Sequence, residues 1–512
     1  MKKRTMKLLT ILMLAAFLMT MPLEVSAIEG TLGYEGGISA ENKIKKDEYQ
    51  YSEMCFITGK PVLLTGTLTI KKTDKNDMIN GTYTYKLANT DQNATLNRVV
   101  MYTTTKETKS NGQKTETTKL SRVPTEVINI GGATYRLADA SFTRSLLTDP
   151  KPAINYHAGE FEEQKVYALG AAGANNPDTV TVTLSGRLYA YDQHWSSTQT
   201  QKINVLVESD MKSGDHPIKW GGSAEIIVSN ATRQQINYSE NEPSQISFEG
   251  GYVKSSWTES TLDYTARLPE FDKNGRPTDV LKTYTDTQSL ATPFELSRLM
   301  VPDIKQLNGF WAEQPISILF GLEVIPGTGS SYKASKYVTR REFVVMLMRS
   351  LKDIPKDPNV RANTTTNRRT TSKAPEISPF KDVNPDELYY DEIKGAYQKG
   401  ITKGDGKGNF NPNIYISHAD AVKMMVSALG LENLAPWPTT STPFTDNDLI
   451  PSHARNAASV ANELGLIVAD ERGKFNPSAK LSNENTAKLL YGLIAYMGDE
   501  LIKDYRDRMM EF

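Results

Sequence analysis

One cysteine, Cys55, in a chain of 512 residues rules out an intrachain disulfide framework. Cys55 also lies far beyond the N-terminal segment, so it is not a lipid-attachment cysteine. It reads as a small buried apolar side chain, with an intermolecular disulfide as the alternative. Charge of one sign is missing too: 59 Lys and Arg face 60 Asp and Glu. No global field therefore argues for nucleic acid or an acidic membrane, and any partner is chosen by local sites. Beyond residue 21 no stretch approaches the roughly 18–20 uninterrupted apolar residues of a transmembrane helix. Histidine is scarce, with five in the whole chain. HExxH, GxSxG and CxxC spacings and phosphate-binding loops are absent, which removes the common metallohydrolase, serine-hydrolase, redox and nucleotide signatures. The sequence predicts no catalytic residue, cofactor or metal.

The first residues decide the compartment. Lys2, Lys3, Arg4 and Lys7 form a basic start, Leu8 to Met21 is a short apolar core, and Val25-Ser26-Ala27 offers small residues for cleavage. Residues 1–27 are expected to be a signal peptide and take no part in the fold. An exported chain without disulfides, and without the pattern of an outer-membrane barrel, suits the surface of a Gram-positive-type envelope.

Residues 28–300 read as β structure. Thr82-Tyr83-Thr84-Tyr85-Lys86-Leu87 and Thr179-Val180-Thr181-Val182-Thr183-Leu184 alternate strictly and are rich in β-branched or aromatic residues. Asn80-Gly81, Asn111-Gly112, Gly131-Gly132, Gly221-Gly222 and Asn274-Gly275 punctuate them as turns. The expectation is an all-β, antiparallel sandwich-like region of one or two domains. From about residue 301 the apolar period becomes three and four, as in Phe343, Met346, Leu347 and Leu351, so the C-terminal part is predicted helical. Segment 352–377, with Pro355, Pro358, Pro375 and a polar run, interrupts it as a linker or long loop.

Within the helical part three segments align. The first runs from Asp303 through Trp311, Gly321 and Tyr332 to Thr339-Arg340-Arg341-Glu342-Phe343. The second runs from Asp382 through Gly400-Ile401 and Phe410-Asn411-Pro412 to Ser417-His418-Ala419-Asp420. The third runs from Asp446 through Gly465-Leu466 and Phe475-Asn476-Pro477 to Ser482-Asn483-Glu484-Asn485. From Tyr332, Phe410 or Phe475 to the following hydroxyl residue is seven positions each time. From Asp303, Asp382 or Asp446 to the next aligned glycine is 18, 18 and 19. Each copy reads as helix, loop, helix. Gly321, Gly400 and Gly465 are expected to close the first helix in a left-handed conformation, and Thr339, Ser417 and Ser482 to cap the second. Thr339 with Glu342 has the spacing of a capping box. One copy cannot bury its apolar face alone, so the three are expected to pack together.

At these residues the chain resembles the S-layer homology family, whose units carry an early Asp, a first-helix aromatic, Gly-Ile, a Gly-x-Phe-x-Pro loop and a Thr-Arg-Ala-Glu motif. The resemblance covers about residues 301–497. It divides the region into repeats at 301–351, 378–431 and 444–497, with a connector at 432–443 and a tail at 498–512. It implies an all-α, pseudo-threefold bundle whose grooves bind secondary cell-wall polysaccharide or a peptidoglycan-linked glycan, often bearing pyruvate ketals. Arg340 matches the motif arginine, and its fork suits a carboxylate. It also falls at a helix N-terminus, where free backbone N–H groups favour an anion. Trp311 stacks on a sugar or belongs to the core, and Thr339 and Glu342 are glycan contacts or caps. His418 and Asn483 replace the arginine in the other copies and, with Asp420, are the weaker glycan candidates; a protonated His418 would carry charge at mildly acidic pH.

Other constellations carry less. Asp405-Gly406-Lys407-Gly408-Asn409 lacks the ligand alternation of a calcium loop, and His157, His194 and His216 near Glu160, Asp192 and Asp215 read as scattered loop histidines. The leading expectation is a secreted cell-wall protein, an S-layer component or adhesin, whose β region is displayed and available for self-association or contact with other surface proteins. The alternative is a wall-anchored enzyme that degrades a polysaccharide with residues 28–300. In that case the carboxylate pair is a spatial property no sequence displays.

Overall fold

The computed structural model describes residues 36–41, 47–75, 77–170, 177–212, 218–240, 250–273, 275–352, 376–435 and 441–510. The expected signal peptide, Asp215, His216 and most of the expected linker lie outside them.

Fifteen strands among the described residues, from Gly37–Glu41 to Glu295–Arg298, join in one antiparallel sheet. The alternation seen in the sequence is the cause. In strand Met78–Asn89 the inward set Tyr83, Tyr85 and Leu87 is buried, and in Thr179–Asp192 Val180, Leu184 and Leu188 are. The sheet also winds on itself. Ser260 near its far edge donates to the Ser39 carbonyl of the first strand (2.8 Å), and the Phe56 ring meets Tyr264 edge-on at 5.6 Å. One core, including Tyr51, Leu64, Leu96, Val180, Ile203 and Leu262, fills the interior. The sandwich-like expectation is corrected to this single wound sheet. Hairpins that pair most strands with their sequence neighbours keep one ladder continuous, and the accumulated twist of so many strands curls it. Cys55 ends a strand beside this core, where burial pushes its thiol up to about 12 and keeps it protonated.

The helical part holds α1 (Glu313–Gly321), α2 (Arg340–Ser350), α3 (Tyr390–Gln398), α4 (His418–Leu429), α5 (Ser452–Glu463), α6 (Asn483–Ala495) and α7 (Leu501–Met510). The three predicted caps form: Thr339 and Glu342 make a complete capping box, and Ser417 and Ser482 accept from the N–H groups of Asp420 and Asn485. Gly400 (φ 76) and Gly465 (φ 69) are left-handed as expected, but the left-handed residue of the first copy is Glu323 (φ 61). Gly321 is instead required by space, since a Cβ there would sit 2.7 Å from that of Leu299. The loops are clamped by carboxylates. Asp382 accepts from the N–H groups of Phe410 and Asn411, and Asp446 from those of Phe475 and Asn476, at 2.7–2.8 Å. Asp303 serves a turn of its own, accepting from the N–H of Lys305 (3.2 Å).

The copies are bonded in a cycle. The N–H of Arg340 donates to the Ile414 carbonyl of the second copy (2.8 Å), that of His418 to Ala479 of the third (2.8 Å), and that of Asn483 to Lys336 of the first (2.9 Å). Inside this ring Val338 donates to Leu481, Leu481 to Ile416 and Ile416 back to Val338.

Helices and sheet share a seam. Trp195, in the turn after strand Thr179–Asp192, is fully buried among helical residues and donates from Nε1 to the Ser350 carbonyl at 2.8 Å. Ser196 and Gln193 donate to the Met497 carbonyl, Arg233 pairs with Asp499, and the Tyr505 hydroxyl of α7 donates to the Ala190 carbonyl. The segment expected as a tail thus carries a docked helix. Trp195→Ala removes the largest side chain of this seam and is expected to lower stability by about 3–5 kcal/mol in chemical denaturation. A loss under about 1 kcal/mol would mean the two parts fold independently of it.

His194 beside it is held near pKa 4, because burial disfavours the charged ring and Lys254 and Lys352 lie close. The unfolded chain therefore takes up a proton near pH 6.5 that the folded chain refuses until about pH 4. Stability is complete above that window and falls as pH drops through it, by at most about 3 kcal/mol. Denaturation midpoints at pH 7 and pH 4.5, compared between the native chain and His194→Gln, measure it; equal pH slopes would refute it.

Candidate functional site

Arg340 is the first residue of α2, so the backbone cap that starts this helix fixes where its side chain begins. The side chain crosses into the second copy and is 11% exposed. Its guanidinium lies over the Phe410 ring (5.4 Å), Nη2 donates to Thr402 Oγ1 (3.0 Å), and Nη1 is 3.9 Å from Asp420 Oδ2. Nε is buried without a hydrogen-bond partner. Burial lowers the pKa of Arg340 while the negative charges of Asp420 and Asp405 oppose the shift, and an arginine so placed stays charged. Asp420 also accepts from His453 Nε2 at 3.3 Å. Arg340 of the first copy, Thr402 and Asp420 of the second and His453 of the third thus form one polar cluster where the copies meet.

The equivalent side chains of the other copies make the same crossing and end differently. His418 stacks on Phe475 (4.5 Å) and hydrogen-bonds through Nδ1 to the Phe475 carbonyl (2.7 Å). Burial lowers its pKa, which works against the expected charging of His418 at mildly acidic pH. Asn483 donates to the Lys333 carbonyl (2.8 Å) of the first copy. Glu342 is occupied by its own cap and by Lys336 (2.7 Å), and Thr339 by the same box. Trp311 is 56% exposed beside Phe310 and does not belong to the core. Asp405 is held well below the usual carboxylate range by hydrogen bonds from Asn409 and Lys407.

In the β part His157 bridges Asp192 (2.6 Å) and Thr148 (2.9 Å), while no group of three or more metal-ligating side chains occurs among the described residues. Sequence reasoning passed over a buried charged cluster there, Glu53, Arg98, Glu126, Glu163 and Lys165, and an apolar cavity of about 360 Å³ at the seam, lined by Tyr156, Tyr189, Leu431, Leu464, Leu501 and Tyr505 among others.

Residues 379–422 match the S-layer homology domain. The chain is 28% identical over 196 residues to an amylopullulanase of Thermoanaerobacterium thermosulfurigenes, covering 37% of this chain and 9% of that protein. It is 30% identical over 211 residues to an endoglucanase of Bacillus sp. (strain KSM-635), covering 41% and 19%, and 25% identical over 203 residues to S-layer protein EA1 of Bacillus anthracis, covering 39% and 21%. The chain therefore spans at most about a fifth of the length of these relatives. No described helix is long and apolar enough to cross a membrane. With its Asp-clamped loop and the cap of its second helix inside the matched residues, this chain carries an S-layer homology domain at residues 379–422 and belongs to the cell surface.

Proposed function

We propose that the helical part anchors the protein non-covalently to the cell wall by holding an anionic secondary wall polysaccharide in the Arg340 groove, while the β part is presented outward. On this reading residues 301–351, 378–431 and 444–497 are three repeats of a pseudo-threefold bundle, and the cyclic hydrogen bonds among them support it. The carrying observation is Arg340 itself: a charged fork at a helix N-terminus, 11% exposed where the copies meet, whose terminal nitrogens give one hydrogen bond, to Thr402. An enclosed guanidinium meets a sugar-borne carboxylate with charge-assisted hydrogen bonds that bulk water screens poorly. The test is sedimentation of the full chain with purified wall sacculi, before and after extraction of their polysaccharide. Binding that survives extraction would refute the reading.

A second reading, a wall-anchored polysaccharide-degrading enzyme, is favoured by the enzyme names of several relatives. It requires release of reducing sugars from wall or plant glycans by the full chain. Assembly of the protein into sheets without any such release favours the structural role.

A further inference from the structure

The ring that joins the three copies has an outer face of its own. Five residues after each loop aromatic come Tyr337, Tyr415 and Lys480, and the bridges Tyr337 to Ser482, Thr339 to Tyr415 and Ser417 to Lys480 gather these equivalent positions around the common centre. The two tyrosine rings lie 5.6 Å apart, and the Lys480 ammonium stands 4.9 Å from the Tyr415 centroid and 5.9 Å from that of Tyr337. Both rings are 49% exposed, and Ile414 beside them is 52% exposed. Among the described residues no carboxylate is paired with Lys480. The backbone beneath is fixed by the hydrogen bonds of the ring, so these side chains sit on a rigid base at the junction of three copies.

We propose that Tyr337, Tyr415 and Lys480 form a second glycan site, one that stacks a pyranose ring of a carboxylate-bearing wall polysaccharide on the tyrosines and meets its carboxylate with the lysine. The chemistry follows from the groups. An exposed aromatic face accepts the C–H face of a sugar at little entropic cost, because the ring has few rotors to freeze. An ammonium over aromatic rings makes no hydrogen bond to them and so offers its N–H donors to an anion. Neither group is needed to fill the core, since both tyrosines remain half exposed. The site differs from the Arg340 groove in position and composition, and it rests on the wall-anchoring reading.

The test measures affinity of the full chain for released wall polysaccharide, native and carboxyl-reduced. Tyr415→Ala is expected to weaken binding to the native polymer about 5- to 10-fold, and Lys480→Ala about 3- to 5-fold, with Lys480→Glu losing more. Tyr415→Phe keeps the stacking face and is expected within about twofold of the native chain. On carboxyl-reduced polymer the Lys480 effect is expected to vanish while the Tyr415 effect remains. All of these variants are at the surface, and thermal unfolding checks that they fold. If the native chain binds no polysaccharide, the anchoring reading fails. If it binds and Arg340→Ala weakens it, but Tyr415→Ala and Lys480→Glu leave affinity within twofold, this second site is overturned; a Lys480 effect that persists on reduced polymer overturns its anion assignment.

Discussion

On the anchoring reading, Arg340→Ala is expected to weaken sedimentation with wall sacculi about 30- to 100-fold, the equivalent of roughly 2–3 kcal/mol for losing one partner of an enclosed charged pair. His418→Ala and Asn483→Ala are expected to change it by no more than about threefold, because each side chain is already hydrogen-bonded to a backbone carbonyl. The asymmetry follows from what each residue does after the same crossing into the next copy. His418 spends its Nδ1 on the Phe475 carbonyl and Asn483 its amide on the Lys333 carbonyl, whereas Arg340 has five donors and gives one of them to Thr402. Arg340→Lys separates charge from geometry: a point charge retains part of the affinity but cannot fork onto a carboxylate, so an intermediate loss of about 5- to 10-fold is expected. Equal losses at all three positions would place recognition elsewhere in the ring, and unchanged binding by Arg340→Ala would remove the groove from the anchoring role.

Local signals were readable where the cause is local. The Thr339 capping box involves two residues three apart, and its formation depends on little else. The same holds for Ser417 and Ser482, and for the inward alternation of Tyr83, Tyr85 and Leu87. Gly321 shows the limit: three aligned glycines invite one explanation, yet Gly321 is small because Leu299, the buried residue just after the last strand, packs against it. A contact of that kind depends on how the sheet meets the helices. The winding of the sheet was hidden for a similar reason, since Ser39 and Ser260 meet only after every intervening hairpin has added its twist.

The candidate site was legible in part. Arg340 and the copies around it could be found by register, but the destinations of Arg340, His418 and Asn483 could not, because each ends on a neighbouring copy. Trp195 carried no signal beyond being an aromatic in a turn. The buried ionic cluster did leave one that was not used. Arg98 sits in phase with Leu96, Val100 and Tyr102, Glu126 with Ile128 and Ile130, and Lys165 with Phe161 and Tyr167. Charges on the inward phase of several strands that meet in one sheet announce a buried network, since an unpaired charge at such a position would not be tolerated.

That network makes the second large prediction. Arg98 forks onto Glu53 through two hydrogen bonds of 2.9 Å and gives a third to Glu126, also 2.9 Å, with its guanidinium 5.0 Å from the Tyr85 centroid. Tyr51 and Tyr167 donate to the same two carboxylates. Burial raises the pKa of Glu53, and Arg98 is the main force holding it down. Arg98→Met keeps the volume and removes the cation, leaving two enclosed carboxylates short of their donor, and is expected to cost about 3–5 kcal/mol at pH 7. The sign of the pH dependence identifies the cause. Without Arg98 the folded-state pKa of Glu53 rises further above its unfolded value, so the folded chain binds a proton first, and the deficit shrinks as pH falls from 7 toward 5. Adding Glu53→Gln and Glu126→Gln to Arg98→Met removes the charges that were left behind, and most of the stability is expected to return, because a neutral polar cluster costs far less to bury than uncompensated ions. Denaturant midpoints of the three chains at pH 5 and pH 7 decide it. A deficit that is the same at both pH values, and unrelieved by the two amides, would mean that Arg98 stabilises the wound sheet by filling space over Tyr85 rather than by neutralising the carboxylates around it.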